Sequence, residues 1–407
     1  MIYDAYQAYT DFMTPMQALA EAARAQLGAP MFAQCESARK VAAACEVFLA
    51  GKVTHSRPPF QLEKVMTGEG ATAFEVSVTE EAIHVAPFAT LLHFKKQGVT
   101  GQPRVLIVAP MSGHFATLLR ETVRTMLADH DVYITDWHNA RDVPLSAGRF
   151  GLDEYTQYVM DFLAVMGPGS HLMAICQPCV PALAAAAIMA EDRNPAQPRS
   201  ITLMAGPIDC RINPTKVNEL AISKPLAWFE KNLISHVPFR HKGAFRRVYP
   251  GFLQLSAFMS MNPERHRSAF KGLYQDLVDG ETEKADVTRS FYEEYFAVLD
   301  MDAEFYLETI EHVFQEYALA QGKLKWRERI VNPAAIRRTA LLTVEGENDD
   351  ICALGQTMAA HDLCSSIPPF LKSHHMQAGV GHYGVFSGKR WNRQIYPIVR
   401  ETIYSAV

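Results

Sequence analysis

Three residue types that cooperate in nucleophilic catalysis follow one another along the chain, each at a turn after an apolar run. The first is Cys176, in Met173-Ala-Ile-Cys176-Gln-Pro178. This segment joins a strand-like run beginning at His171 to a helix of small residues. A nucleophile on such a turn stands clear of the sheet, and the next backbone N–H faces the developing oxyanion. The usual pattern is Gly-x-Ser-x-Gly, whose small residues allow close approach. Here those two positions are Ala174 and Pro178, and the nucleophile would be a thiol. Pro178 suits a first helical turn, where its missing N–H costs little. The helix start also favours a thiolate. A buried structural cysteine is the plainer alternative for this segment taken alone.

An acid and a base complete the pattern in the order nucleophile, acid, His that α/β-hydrolases use. A strand signal at Thr339-Ala-Leu-Leu-Thr-Val leads into Glu345-Gly346-Glu-Asn-Asp349-Asp350. Asp349 is the preferred acid; Asp350 and Asp209 compete with it. His382 lies in the Gly-bracketed loop Gly379-Val-Gly-His382-Tyr-Gly and is the expected general base. His374 and His375 fall inside a strand and read as structural. An oxyanion hole needs two donors. The Gln177 backbone N–H is one, and Met111 or Ser112, in the loop Pro110-Met-Ser-Gly-His114, supplies the other. Cys176 and Cys179 also form a C-x-x-C pair, as in thiol–disulfide oxidoreductases. A thioredoxin-type motif, however, sits near the start of a small domain, and this one lies in the middle of a long run.

The elements that must hold these residues follow from the hydropathy pattern. Residues 1 to about 65 have helical spacing, with Ala18, Leu19, Ala22, Ala23 and Leu27 on one face and a second helix over Val41 to Leu49. Alternation from Phe74 predicts an antiparallel strand, with Ala82 to Ala86 as its partner. From about residue 100, continuous apolar runs alternate with helical stretches. The runs are Val105–Pro110, Val132–Trp137, His171–Cys176 and Ser200–Gly206. That grammar means βαβ units and a parallel sheet buried on both faces. It stops near Asp209, gives way to an aromatic-rich helical stretch, and resumes at Thr339. The expected division is 1–100, N-terminal helices and first antiparallel strands; 101–209, first part of the core; 210–335, a helical cap; and 336–407, the rest of the core.

Composition limits the function classes. The 407 residues carry 39 Lys plus Arg against 44 Asp plus Glu, a net charge of −5, which speaks against nucleic acid as a partner. The longest apolar run, Ala182 to Ala190, falls well short of the ~18–20 residues that span a bilayer. The N-terminus carries Asp4 and Asp11 and lacks the pattern of a secretory signal. Seven cysteines, an odd number, fit free thiols in a reducing compartment, so a cytoplasmic location is expected. The basic cluster Arg240-His-Lys with Arg246-Arg247 reads as a solvated face, with docking to an acidic surface as its functional alternative.

Taken together, VLIVAPMSGHFATLLR (105–120), DVYITDWHNARDVPLSAGRF (131–150), AICQPCVPALAA (174–185), LLTVEGENDDI (341–351) and GVGHYGVFSG (379–388) resemble the intracellular polyhydroxybutyrate (PHB) depolymerases. The likeness runs over nearly the whole chain, and the Ala-Ile-Cys-Gln-Pro elbow is its most specific part. The resemblance implies an α/β-hydrolase fold and a Cys–Asp–His triad, falling here on Cys176, Asp349 and His382. It further implies no metal or organic cofactor, and a polyester granule with 3-hydroxybutyrate oligomers as partner and substrate. It gives Cys179 no role. The acyl acceptor, water or coenzyme A, stays open, and so does oligomeric state, a homodimer included. A polyester synthase, a thioesterase and a granule-coat protein are the alternatives; synthases carry a Gly-x-Cys-x-Gly elbow, which this chain lacks.

Overall fold

A computed structural model describes the chain except for residues 1, 33, 69, 71, 72, 262 and 407. The apolar runs become the centre of a nine-stranded sheet. Its strands are β1 (Lys64–Thr67), β2 (Phe74–Val85), β3 (Ala89–Lys96), β4 (Arg104–Val108), β5 (Asp131–Trp137), β6 (His171–Ile175) and β7 (Ser200–Met204). After an insertion that holds the short strands β8 to β12, the sheet is completed by β13 (Ala340–Gly346) and β14 (Lys372–Gln377). The order is β1-β2-β3-β5-β4-β6-β7-β13-β14. Strands β5, β4, β6, β7, β13 and β14 are mutually parallel, and β1, β2 and β3 add antiparallel pairs at one side. All five residues of β6 and of β7 are buried. Each large apolar side chain so covered contributes about 1.5–3 kcal/mol.

Strand order reverses at β4, whose neighbours are β5 on one side and β6 on the other. The crevice beyond the carboxyl ends of the strands at such a reversal is where ligands bind in open α/β sheets. Residues 109–113 and 176–178 leave β4 and β6 at this point.

The helices can now be numbered: α1 (Ile2–Leu27), α2 (Glu36–Ala50), α3 (Arg120–Leu127), α4 (Leu152–Met166) and α5 (Cys179–Glu191). The insertion adds α6 (Lys216–Ile222), α7 (Leu226–Leu233), α8 (Gly251–Met261), α9 (Pro263–Asp279) and α10 (Thr282–Tyr295). Helix α4 starts with the Glu154 carboxylate accepting from the Gly151 N–H at 2.7 Å, which satisfies one donor ahead of its first turn. Helix α5 is buried from Cys179 through Met189. Its run of alanines lets it lie close to the sheet.

Four expectations need correction. The stretch 210–335 is helical but not purely so. It holds a three-stranded sheet of β8 (Ser235–His236), β9 (Arg247–Tyr249) and β10 (Met301–Asp302), and a hairpin of β11 (Lys325–Trp326) and β12 (Arg329–Ile330). Strands of two or three residues are too short to display a period of two. Next, Ala82–Ala86 does not pair back on Phe74–Thr79. β2 runs unbroken from Phe74 to Val85, with a bulge at Ala82/His84, and its partner is β3. Polar Thr79-Glu80-Glu81 imitates a turn because this strand turns much of its length to solvent. The expected apolar face of α1 is open: Ala18 and Ala22 are exposed, and Leu19 is 72% exposed. Finally, the basic cluster is a solvated face only in part. Arg240 and Lys242 are exposed, Arg240 pairing with Asp11, and Arg247 pairs with Glu230 and Glu304, but Arg246 is buried and bridges Asp302 at 2.8 Å.

Candidate active site

Cys176 lies between β6 and α5 with φ +67°, in the left-handed region that an L residue rarely adopts. Two backbone bonds hold it there. Its N–H donates to the Met204 carbonyl at 2.7 Å, and its carbonyl accepts from the Cys179 N–H at 3.1 Å. A close approach makes the turn fit: a Cβ on Gly206 would lie 2.2 Å from Cys179 Sγ and 3.0 Å from the Cys176 carbonyl. This is the strained strand-to-helix elbow on which a nucleophile is presented. Cys176 is partly exposed, whereas Cys179 is fully buried.

The other two residues arrive from the far side of the sheet. Asp349 follows β13, and His382 follows β14. His382 Nδ1 and Asp349 Oδ2 are 2.8 Å apart, both residues being buried. The second carboxylate oxygen, Oδ1, accepts from the Ile351 and Cys352 N–H groups at 2.9 and 2.8 Å, which fixes the acid's orientation. Cys176 acts electrostatically on the same ring. Burial opposes a charged ring here. The Cys176 and Asp349 charges and the Asp349 hydrogen bond outweigh burial and hold the His382 pKa well above the ordinary histidine value. Of the three residues singled out in sequence, Asp349 and His382 are thus hydrogen-bonded, and Cys176 acts on the same ring.

The competing acids go elsewhere. Asp209 is clamped by Arg211, whose nitrogens contact it at 2.7 and 2.8 Å, and that hydrogen bonding lowers its pKa. Asp350 is exposed and lines the cavity over the site. His374 binds Thr343 Oγ1 at 2.9 Å within the sheet. Cys179 directs its thiol to the Ala174 and Met204 carbonyls at 3.4 and 3.7 Å, and burial pushes its pKa well up.

The loop after β4 is pinned from several directions. Gly113 has φ +84°, and its carbonyl accepts from the Leu299 N–H at 2.9 Å. Gln254 of α8 donates to the Ser112 carbonyl. His114 is buried and donates from Nε2 to the Tyr295 carbonyl at 3.1 Å; burial lowers its pKa to about 4, so its ring is neutral. The Met111 N–H points at the Gln177 side-chain oxygen, 3.4 Å away. A carbonyl oxygen from the chain itself thus takes the bond that an oxyanion would need. Sequence reasoning missed this, since a side-chain rotamer leaves no trace in a pattern.

A cavity of about 340 Å³ opens over His382. Phe258, Phe291 and Tyr295 of the insertion form its apolar part, with Tyr383 from the core side. Arg265, His266, Asn348 and Asp350 supply the polar part. Tyr383 was legible as a neighbour of His382 in sequence. The insertion residues were not, because the same aromatic content also builds the insertion's own packing: Tyr292 and Phe296 are buried, while Phe239 is 84% exposed. Among the described residues, no cluster of three or more His, Cys, Asp or Glu is placed to hold a metal ion. No helix among them is long and apolar enough to cross a membrane.

Strand order, elbow and the acid–histidine loops define the class: the chain has an α/β-hydrolase fold. Residues 205–406 match the family model described as the C-terminus of PHB de-polymerases, so the C-terminal half carries a domain of that family. No curated protein matches the sequence. Among solved structures, the chain is similar to a thermophilic esterase from Thermogutta terrifontis (12% identity, 84% of this chain and 98% of that one, TM-score 0.41). It is similar also to a monoacylglycerol lipase from Paleococcus ferrophilus (12% identity, 75% and 97%, TM-score 0.42). A third is 2-hydroxy-6-oxo-6-phenylhexa-2,4-dienoate hydrolase from Rhodococcus sp. strain RHA1 (12% identity, 81% and 99%, TM-score 0.41).

Proposed function

We propose that this chain is an intracellular depolymerase that hydrolyses the ester bonds of amorphous poly(3-hydroxybutyrate), with Cys176 as nucleophile, His382 as acid–base and Asp349 as the group that orients the ring. The observation that carries this reading is the buried Asp349–His382 hydrogen bond together with Cys176 on its positive-φ turn, in a chain whose residues 205–406 match the depolymerase family model.

The steps follow from the proton inventory. His382 takes the proton of Cys176, with Asp349 holding the ring, and a thiolate results. The thiolate attacks the ester carbonyl, and the oxyanion accepts from the Gln177 N–H and from Met111 or Ser112. To do so it displaces the Gln177 side-chain oxygen from the Met111 N–H. His382 gives its proton to the departing alcohol end of the chain, leaving a 3-hydroxyacyl thioester on Cys176. His382 then takes a proton from water, hydroxide attacks the thioester, and the acid leaves. Segment 210–335 acts as the cap that covers the bound chain. The aromatic cavity wall suits an apolar polyester with regularly spaced carbonyls. The working location is the cytoplasm, at the granule surface.

The test is release of soluble 3-hydroxybutyrate and its oligomers from amorphous granules under reducing conditions. Wild type and Cys179→Ala are expected to be active and Cys176→Ala inactive. Release by Cys176→Ala would refute the nucleophile. No release by wild type, together with polymer formation from 3-hydroxybutyryl-CoA, would turn the assignment into a synthase. Adding coenzyme A to the same assay separates thiolysis from hydrolysis.

A further inference from the structure

One charged side chain in the cavity has no place in the reaction just described. Arg265 lies in the first turn of α9, on the insertion side, and is exposed at the cavity wall. It is the one Lys or Arg among the lining residues. Neighbouring arginines are occupied: Arg267 pairs with Glu264, and Arg289 with Glu46 and Asp286. No ion pair of Arg265 occurs among the described residues. Its charge nevertheless reaches the site, since it acts on Tyr383, next to His382, and on Tyr295. Asp350 lines the same cavity from the sheet side, with opposite sign. His266, adjacent to Arg265, adds no charge, because burial lowers its pKa. The cavity is therefore apolar along its walls, cationic on the insertion side and anionic on the sheet side.

We infer that Arg265 recognises the free carboxylate at the acid end of a hydroxy-acid oligomer, so that the site selects chain ends and short free-acid oligomers over internal or blocked esters. This rests on the ester-hydrolase reading above and adds to it the end group of the substrate. The chemistry is specific. A guanidinium presents two parallel N–H donors that match a carboxylate. A neutral ester cap offers no charge to pair. Asp350 repels an anion, so the acid end is confined to the Arg265 side and the acyl end is directed toward Cys176.

The experiment compares kcat/KM for the linear 3-hydroxybutyrate trimer as free acid and as methyl ester, in wild type, Arg265→Gln and Arg265→Lys. A charge-assisted hydrogen bond at an exposed, screened position corresponds to about a tenfold preference for the free acid in wild type. Arg265→Gln is expected to lower the free acid to the level of the methyl ester and leave the methyl ester unchanged. Arg265→Lys restores part of the preference, and added salt weakens it in wild type. Equal use of both substrates by wild type overturns the inference. So does an equal loss on both substrates in Arg265→Gln, which is what a merely structural arginine would give. Protection of Cys176 from iodoacetamide by the trimer acid reads the same contact without turnover. Protection in wild type that is lost in Arg265→Gln, with no hydrolysis of either substrate, would sink the hydrolase reading and keep the arginine's role. Absence of both protection and hydrolysis would sink both.

Discussion

His382 is pulled in opposite directions by its surroundings, and the outcome sets its charge. It is buried, which favours the neutral ring, yet it lies between the Asp349 carboxylate and Cys176, and those partners win. A titration of the ring by NMR is expected to give a pKa well above 6.5 in the wild type. In Cys176→Ala one of the two supporting charges is gone, and the pKa is expected to fall. A wild-type ring that titrates at or below 6.5 would contradict the ion pair. The sign for stability follows. A histidine whose folded pKa is raised stabilises fully below its unfolded value of about 6.5 and loses that contribution as pH rises through the folded pKa. Asp349→Asn keeps the shape of the acid but removes its charge. It is expected to reduce kcat about 10²–10⁴-fold with little change in KM, by steady-state kinetics on a soluble oligomer. The placement of Cys176, Asp349 and His382 on turns after strands was legible in sequence, because each sits in a short local pattern that needs no knowledge of the rest. The Gln177 side chain on the Met111 N–H was not, because that contact joins two loops 66 residues apart.

At the scale of elements, the elbow depends on how closely α5 and the segment after β7 approach. Gly206→Ala would force its new Cβ against Cys179 and the Cys176 carbonyl, where neither backbone can withdraw. Overpacking of this kind costs about 1–3 kcal/mol, and here it also displaces Cys176, the proposed nucleophile. The expected result is a lower midpoint of urea unfolding together with a loss of activity larger than the stability change explains; an unchanged midpoint would contradict the packing. The insertion is tied to the core by a different device. Arg246 bridges Asp302 and donates to the Val143, Gly148 and Pro144 carbonyls at 3.0, 3.0 and 2.7 Å. Arg246→Ala would strand a buried carboxylate, at a cost of about 3–5 kcal/mol, readable in the same unfolding experiment. The sheet strands were readable because two-sided burial leaves continuous apolar runs. Strands β8 to β12 were not, for their length hides their period. The split assigned to β2 failed because charges on a solvent-facing stretch look like a turn.

Across the whole molecule, the parts that carry chemistry converge on one crevice, although they come from opposite ends of the sequence. β4 and β6 deliver the loop of Met111 and Ser112 and Cys176, and β13 and β14 deliver Asp349 and His382. The insertion closes over them through Phe258, Phe291 and Tyr295. The alternation of strands and helices foretold the sheet. It did not foretell which aromatics face the cavity, since that depends on packing between distant segments. Nor did helical spacing reveal that Leu19 of α1 faces outward, since spacing defines a face but not what covers it. The most direct measurement on the molecule as a whole is mass spectrometry of the acid-quenched enzyme during turnover of a 3-hydroxybutyrate oligomer. One 3-hydroxyacyl group, confined to the peptide that contains Cys176 and absent from Cys176→Ala, is the expected result. An acyl group on any other residue, or turnover that survives in Cys176→Ala, would contradict a cysteine-nucleophile esterase.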